Sequence, residues 1–326
     1  MKTAVLDIGG TFIKSGIYNG GELCQIEETP TPVDRGGSGL MECAREILGR
    51  HEGMDAIGIS TAGQVDTDRG EIRYANENLP GYTGTKVRQI LEETFLVPVA
   101  VDNDVNMAAL GEACLGAGRG EEDFLCLTLG TGIGGAIVRN RQIYRGSCFS
   151  AGEFGSMVTH GDVQKSQGGF PAGIYEKYAS ATALVRQAMA YDSALQNGRI
   201  IFARLEEPGI RAIVDAWIGE ILLGLSSLVH IFNPSCIVLG GGIMAQPYIL
   251  KELRKRIRDY VMPSFLNVRL EQAQLGNKAG MLGAAIAAER MVKAGARPAR
   301  ETGSQAAVRE VTRGEAAAGM QRNTEA

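Results

Sequence analysis

The sequence predicts an α/β protein made of two similar domains, and three observations support this prediction. Predicted strands and helices alternate along the 326 residues. A pattern of strand, glycine–threonine turn, strand, turn and strand occurs twice, from residue 4 and from residue 124. Repetition of a domain half at a period of roughly 120 residues implies two domains that face each other across a cleft. The length is ample for two hydrophobic cores.

Composition and charge give no reason to expect a nucleic acid or an anionic membrane as partner. Charged residues make up 21% of the chain and the formal net charge is -4. Six cysteines are scattered without a C-x-x-C pair, which is typical of reduced thiols in a cytosolic protein. We find no signal-peptide pattern and no apolar run of spanning length, so we expect a soluble, cytoplasmic protein.

The first half reads as a β-meander followed by alternating helices and strands. The expected strands are 4–7, 13–18, 23–28, 56–60 and one from Val99, with helices at 40–48 and 87–95. The turn after the first strand is Gly9-Gly10-Thr11, and the fourth strand ends in Thr61-Ala62-Gly63.

The second half repeats the meander after a glycine-rich link at 116–120. The expected strands are 124–129, 133–139, one from Ile143 and 236–239, with helices at 181–189, 210–232, 249–260 and 280–293. The apolar face Ile213, Trp217, Ile221 and Leu225 could join subunits, although a buried core helix is the favoured interpretation. We expect a smaller domain of 1–117 plus 281–294, with the last helix packing back, and a larger one of 118–280. Residues 295–326 have no apolar periodicity and are predicted to form a disordered tail.

The acidic end of the Val99 strand is the first candidate for chemistry. Asp102, Asn103 and Asp104 follow the apolar run, just before a helix at Met107. Ligands of α/β folds bind at the carboxyl ends of strands, so this position favours a site. The alternative is that one acid simply caps the helix.

The two glycine turns are candidates for phosphate binding. Gly9-Gly10-Thr11 and Gly130-Thr131-Gly132 could each direct backbone N–H groups and a hydroxyl toward an anion. Asp7, just before the first turn, could bind Mg²⁺ directly or through water. An ordinary tight hairpin is the alternative for the first turn. It is weaker for the second, where four glycines fall within 130–135.

Six motifs in order resemble the ROK family of bacterial sugar kinases and repressors. They are Asp7-Ile8-Gly9-Gly10-Thr11, Ile59-Ser60-Thr61-Ala62-Gly63, Asp102-Asn103-Asp104, Leu129-Gly130-Thr131-Gly132-Ile133-Gly134-Gly135, Ala151-Gly152-Glu153-Phe154-Gly155 and Gly240-Gly241-Gly242. The resemblance implies two ribonuclease-H-like domains of the actin/hexokinase/Hsp70 ATPase superfamily facing a central cleft. It also implies an ATP·Mg²⁺ site and a hexose bound in that cleft.

The resemblance further implies a role for individual residues. Asp104 matches the catalytic base that takes the proton from the sugar hydroxyl. The positions matching sugar ligands are Asn103, Glu153, Glu176, Gly63 and Asn78. The positions matching the ATP and phosphate site are Asp7, Gly9, Gly10, Thr11, Lys14, Thr131, Gly132, Gly241 and Gly242. For each glutamate a helix-surface or capping role is the alternative.

One family feature is missing from this sequence. Many members carry a His and three Cys that bind a structural zinc, but Ser156, Gln167, Gly169 and Ile174 stand at those positions. A Cys₃His site cannot be assembled here, so we expect no structural zinc.

The sequence therefore predicts an ATP-dependent kinase that phosphorylates a hexose or β-glucoside. The stretch from 123–128 through 151–157 looks most like the β-glucoside kinases of the family. A glucokinase, or a kinase for N-acetylmannosamine or fructose, is the alternative. A sugar-sensing repressor is disfavoured, because such proteins carry a helix-turn-helix domain ahead of the first strand and only three residues precede it here. The resemblance also favours a homodimer.

Overall fold

The computed structural model describes residues 1–161 and 171–298. The chain divides into two compact units. The first contains Met1–Asp104 together with residues 284–298, and the second contains Val105–Gly283 among the described residues.

The first unit is built on a mixed sheet of five strands, β1 (Lys2–Ile8), β2 (Phe12–Asn19), β3 (Glu22–Pro30), β4 (Ala56–Thr61) and β7 (Val99–Asn103). Their order is β3-β2-β1-β4-β7, with β1, β4 and β7 parallel. Every residue of β4 is buried, as expected for a central parallel strand with both faces covered. A separate hairpin comprises β5 (Gln64–Asp66) and β6 (Glu71–Tyr74).

Helices α1 (Gly36–Leu48) and α2 (Val87–Phe95) bury their apolar faces in the core of the first unit. Leu40, Met41 and Ile47 of α1 lie in one cluster with the apolar side chains of β1 and β4. A second, small cluster joins Ala56 and Ala100 to Ala288 of the last helix, α9 (Ala279–Lys293).

The second unit contains a sheet with the same topology. Its strands are β8 (Phe124–Leu129), β9 (Ile133–Arg139), β10 (Gln142–Tyr144), β11 (Cys236–Gly240) and β12 (Arg269–Gln272). Their order is β10-β9-β8-β11-β12, again an antiparallel meander followed by parallel strands. The predicted internal repeat is therefore confirmed at the level of topology within the described residues.

The α-helices that lie wholly or mostly in the second unit are α3 (Asp104–Leu115), α4 (Glu176–Ala179), α5 (Ala181–Tyr191), α6 (Gly198–Ala203), α7 (Pro208–Phe232) and α8 (Pro247–Arg256). Trp217, Ile221 and Leu225 of α7 are fully buried, and Ile213 packs against the same core. The favoured interpretation of this face as a buried core helix is confirmed.

Helix α7 also corrects one expectation. Its 25 residues include a window of mean hydropathy 1.7, so by length and composition it could cross a membrane, although we expected no such run. Half of that window is buried inside the protein, and a core helix passes the same test.

The division between the units differs from the bounds expected from sequence because of α3. Nearly all of α3 belongs to the second unit rather than to the segment 1–117. The buried Glu112 explains this, since its carboxylate accepts hydrogen bonds from the N–H groups of Ala117 and Leu275 at 2.7 and 2.8 Å. Of the tail predicted at 295–326, residues 299–326 lie outside the described residues.

Candidate functional site

The glycine turn of the first unit is fixed by its own backbone and by one distant threonine. The Gly9 N–H donates to the Phe12 carbonyl at 3.1 Å, which closes the turn between β1 and β2. The Thr31 hydroxyl donates to the Gly9 carbonyl at 2.7 Å, and the Thr31 N–H donates to the Thr11 carbonyl at 2.9 Å. Thr11 itself is exposed. The turn is thus an ordered loop with an accessible hydroxyl.

Asp7 lies just before this turn and contacts one donor and one cation. The Ser60 hydroxyl of β4 donates to Asp7 Oδ1 at 2.6 Å, and Lys14 Nζ lies 3.9 Å from Asp7 Oδ2. Lys14 pairs with Asp7 in the β1–β2 register. Burial raises the pKa of Asp7, and this effect outweighs the hydrogen bond from Ser60 and the charge of Lys14, which both lower it.

The acids at the end of β7 form a second group in the first unit. Asn103 Nδ2 donates to Asp104 Oδ1 at 2.8 Å and to the carbonyl of Gly63 at 3.0 Å. The Asn103 N–H donates to Asp102 Oδ1 at 2.7 Å, and Asp102 is almost fully buried. Helix α3 begins at Asp104 itself, three residues earlier than expected. Asn103, Asp104 and Gly63 are thus brought together.

The two groups lie at the same edge of one sheet. Thr61 of β4 pairs with Ile8 of β1 on one side and with Asn103 of β7 on the other. These three parallel strands therefore end side by side, as ligand sites in α/β sheets require. Asn78 also belongs here, since a Cβ placed on Gly10 would lie 3.2 Å from the Cβ of Asn78.

In the second unit, the glycine turn between β8 and β9 lies against Glu176. The Gly130 N–H donates to the Gly132 carbonyl at 3.0 Å, which closes the turn. Glu176 Oε2 lies 3.5 Å from the Ile133 nitrogen, and a Cβ on Gly132 would lie 2.6 Å from the same oxygen. Thr131 is exposed beside them. The structure thus brings together Thr131, Gly132 and Glu176.

Glu153 lies in the same unit, in the segment that follows β10. It is exposed and comes directly before the short 3₁₀ turn Phe154–Ser156. Phe154 of that turn is buried in the core, so the turn is anchored. A Cβ on Gly155 would lie 3.2 Å from Glu176 Oε2, which puts the turn after Glu153 beside the Glu176 carboxylate.

Gly241 and Gly242 line a cavity of about 320 Å³ at the carboxyl end of β11. Polar groups in its wall come from Thr128, Gln272, Asn277 and Glu112. The turn needs glycine at 241, because its φ of +99° and ψ of 152° lie in a region that other residues avoid. A cavity of this size, with apolar walls and a few polar groups, fits a small ligand.

Comparison with known proteins assigns the chain to a family. The model of the ROK family matches residues 3–291. The chain belongs to the ROK family.

Its relatives in the ROK family include named kinases. The β-glucoside kinase of Listeria innocua serovar 6a is 32% identical over 292 residues, covering 87% of this chain and 96% of its own. The solved ROK hexokinase from Thermus thermophilus is 36% identical, with a TM-score of 0.78. The match covers 90% of this chain and 99% of the hexokinase chain. A ROK family glucokinase from Streptomyces griseus in complex with glucose and AMPPNP is 30% identical, with a TM-score of 0.77. The match covers 89% of this chain and 100% of the glucokinase chain. The resemblance predicted from the six motifs is confirmed, as is the α/β class.

The zinc positions of the ROK motif can be compared with the structure at two places. Ser156 is exposed at the end of the 3₁₀ turn, and Ile174 is buried. Gln167 and Gly169 lie outside the described residues. Within the described ranges, no group of three His, Cys, Asp or Glu side chains is arranged to hold a metal ion.

Three side chains at these sites were not singled out from the sequence. Ser60 was part of a motif but had no role assigned. Nothing in the spacing indicated that Thr31 forms hydrogen bonds with a turn about 20 residues earlier. Asn277 lines the cavity from a segment without a motif. Strand pairing brings Ser60 into contact with Asp7, so an alignment of β1 against β4 could have found it.

Proposed function

We propose that this carbohydrate kinase transfers the γ-phosphoryl group of ATP to a hydroxyl group of a hexose or β-glucoside, with Asp104 as general base. The observation that carries the proposal is the hydrogen bond from the Asn103 amide to Asp104 Oδ1. It fixes a carboxylate beside an amide at the end of a parallel strand in a ROK family chain. Asn103 is bonded in turn to Gly63, so all three residues hold one another in place.

The chemistry needs a proton acceptor and fixed positions rather than a covalent intermediate. The sugar hydroxyl oxygen forms a bond to the γ-phosphorus while the bond from that phosphorus to the bridging oxygen breaks, and ADP leaves. Asp104 accepts the hydroxyl proton, and phosphoryl transfer of this kind depends mainly on positioning and charge neutralisation. Asn103, Glu153 and Glu176 bind sugar hydroxyls in this proposal, with Gly63 and Asn78 lining the sugar.

The phosphate and nucleotide groups follow the same logic. In the first unit, the turn at Gly9, Gly10 and Thr11 offers backbone N–H groups and a hydroxyl, with Lys14 as a nearby cation. In the second unit, Thr131 and Gly132 offer a similar turn. The cavity behind Gly241 and Gly242 has the size and mixed lining that an adenosine group needs.

The Asp7 carboxylate fits Mg²⁺, which prefers one or two carboxylates and keeps several waters. Its Oδ1 accepts from Ser60, and its side chain retains 21% exposure, so water can complete the ion's ligands. When bound, Mg²⁺ would neutralise phosphate charge. Burial raises the pKa of Asp7, and a bound cation would favour its ionised form.

The named relatives narrow the range of candidate sugars. Kinases for β-glucosides and for glucose are among the relatives of this chain, at 32% identity each. We propose a hexose or β-glucoside as substrate; within this class, glucose, N-acetylmannosamine and fructose are the alternatives to a β-glucoside. We also propose a cytoplasmic homodimer, which sedimentation equilibrium tests as a mass twice that of one chain.

The deciding experiment is ADP release measured with a panel of glucose, cellobiose, fructose, N-acetylmannosamine and N-acetylglucosamine. We expect turnover with at least one sugar. Asp104→Asn should retain sugar binding by calorimetry and lose kcat by about three orders of magnitude. Asp34→Asn, the same substitution at an exposed acid of the same unit, is the control and should remain fully active. Full activity of Asp104→Asn would disprove the assignment of the base.

A further inference from the structure

The segments before and after residues 162–170 are held together by backbone hydrogen bonds in the second unit. Val158 and Ile174 form an antiparallel bridge. The N–H groups of Thr159 and His160 both donate to the Gly173 carbonyl, at 3.0 and 3.1 Å. The Tyr175 N–H donates to the Met157 carbonyl at 2.7 Å. The chain is therefore fastened just before Glu176.

His160 adds three side-chain contacts to this arrangement. Its ring stacks on the Tyr178 ring, with centroids 3.7 Å apart and an interplanar angle of 9°. Its Nδ1 lies 3.1 Å from the Thr159 hydroxyl, and its Nε2 lies 3.3 Å from Glu220 Oε2 on α7. The imidazole ring thus lies between a tyrosine of α4 and a glutamate of α7.

These contacts fix the short helix that carries Glu176. Helix α4 has only four residues, and a helix of one turn is not stable by itself. Tyr175 ahead of it is buried and donates its hydroxyl to the Ile221 carbonyl of α7 at 2.8 Å. Tyr178 within it is linked to Glu220, the neighbour of Ile221, through His160. Helix α4 is therefore tied to α7 through Tyr175 just ahead of it and through Tyr178 within it.

We propose that His160, with Tyr178 and Glu220, positions the Glu176 carboxylate for sugar binding. His160 is a positioning residue, because it acts through α4 and its contacts are to protein groups. The inference rests on the proposed role of Glu176 as a sugar ligand. In this proposal the His160 contacts affect the affinity for the sugar. They affect neither the affinity for the nucleotide nor the chemical step.

Steady-state kinetics of His160→Ala test the proposal on the full chain. We expect the KM for the best sugar of the panel to rise about tenfold, because a misplaced ligand group weakens binding. The KM for ATP and kcat should stay within about twofold of wild type, since neither depends on Glu176 in the proposal. His160→Phe keeps an aromatic ring on Tyr178 and should recover part of the sugar affinity.

His230→Ala is the matched control. This histidine lies on α7 as well, accepts a hydrogen bond from the Met262 N–H at 3.2 Å and packs edge-on against Phe265. His230 therefore has polar and aromatic contacts like those of His160, but these contacts are not to α4. The sugar KM of His230→Ala should therefore equal that of wild type. A thermal scan of each variant shows whether the folded fraction is preserved.

The results distinguish two kinds of failure. Absence of turnover by the wild-type protein with every sugar would overturn both the proposed function and this inference. Turnover by the wild type, with a sugar KM in His160→Ala equal to that of wild type or of His230→Ala, would overturn the inference alone. A loss of stability without a change in the sugar KM would also overturn it, because a merely structural role has that result.

Discussion

The Asp7 carboxyl group is held in a place that favours its neutral form. Burial raises its pKa, and Ser60 and Lys14 offset only part of that effect. A carboxylate that is costly to ionise in the empty protein is well suited to bind a cation, because the cation removes the cost. Residues of this kind are typical of functional sites rather than of stable cores.

Asp7→Asn should therefore stabilise the protein at neutral pH and reduce its activity. Between the unfolded pKa of an aspartate, about 4, and the raised folded pKa, the folded state binds more protons than the unfolded state. Stability consequently falls as pH rises through this window. The asparagine retains an acceptor for Ser60 and has no charge to bury. We expect Asp7→Asn to unfold at higher urea than wild type at pH 7.5, and the two to converge at low pH.

The same variant should lose kcat by about a hundredfold in the sugar assay, because the charge that would hold Mg²⁺ is gone. Lys14→Met separates the effect on stability from the loss of the carboxylate that would hold Mg²⁺. It removes the cation that lowers the pKa of Asp7, so it should reduce stability at neutral pH instead. Equal or lower stability of Asp7→Asn at pH 7.5 would contradict the explanation by burial.

Residues that stand in motifs were predictable from the sequence, whereas residues that act through contacts distant in sequence were not. Asn103, Asp104 and Gly63 were assigned together, and the structure places them in hydrogen-bond contact. Thr31 was missed because its bond to Gly9 depends on how β3 ends beside the first turn. Asp102 received no role, and its bond to the Asn103 N–H indicates that it orders the strand end.

Among the elements, the turn between β11 and the following 3₁₀ helix is the one most constrained by geometry. Gly241 adopts φ +99°, and a Cβ there would lie 2.1 Å from the Leu129 carbonyl oxygen. Its neighbour Gly242 has open space in the Cβ direction. The two glycines line the same cavity but differ in what a methyl group would meet.

This pair provides a matched test. Gly241→Ala should destabilise the protein by about 3 kcal/mol, because both the backbone conformation and the contact with a fixed carbonyl are unfavourable. Gly242→Ala should change the free energy of unfolding by less than about 0.5 kcal/mol. Urea unfolding of both variants measures the difference. Equal stability of the two would contradict the geometry of this turn.

Long elements were predictable from periodicity, whereas several of the shortest were not. The second helix, 87–95, and the strands 124–129 and 133–139 have the bounds expected from sequence. Among the described residues, the strands and α-helices missed were β5, β6, β12, α4 and α6, which have three to six residues each. Segments this short carry too little periodicity, and β12 reads Arg-Leu-Glu-Gln with a single apolar residue. Their pairing is decided by neighbours distant in sequence, as for β12 beside β11.

For the whole molecule, repetition of one topology explains why a glycine–threonine turn occurs twice. Each sheet begins with a meander whose first bend is a glycine–threonine turn, and each continues with parallel strands. Each unit also has a core of its own, centred on β1, β4 and α1 in one and on α7 in the other. The two turns therefore occupy the same place in one repeated topology. In the sequence this repetition is visible only as a repeated pattern of strands and turns.

Binding of a nucleotide to the cavity at Gly241 and Gly242 should stabilise the folded chain by mass action. At a hundredfold excess over its Kd, AMPPNP should raise the free energy of unfolding by about 2.7 kcal/mol. Ala245→Trp would fill this cavity from an exposed position in its wall, so the variant should fold normally and lose the stabilisation. Ala194→Trp, at an exposed alanine of the same unit outside the cavity wall, is the control and should retain it. Stabilisation of Ala245→Trp equal to that of wild type would place the nucleotide elsewhere in the molecule.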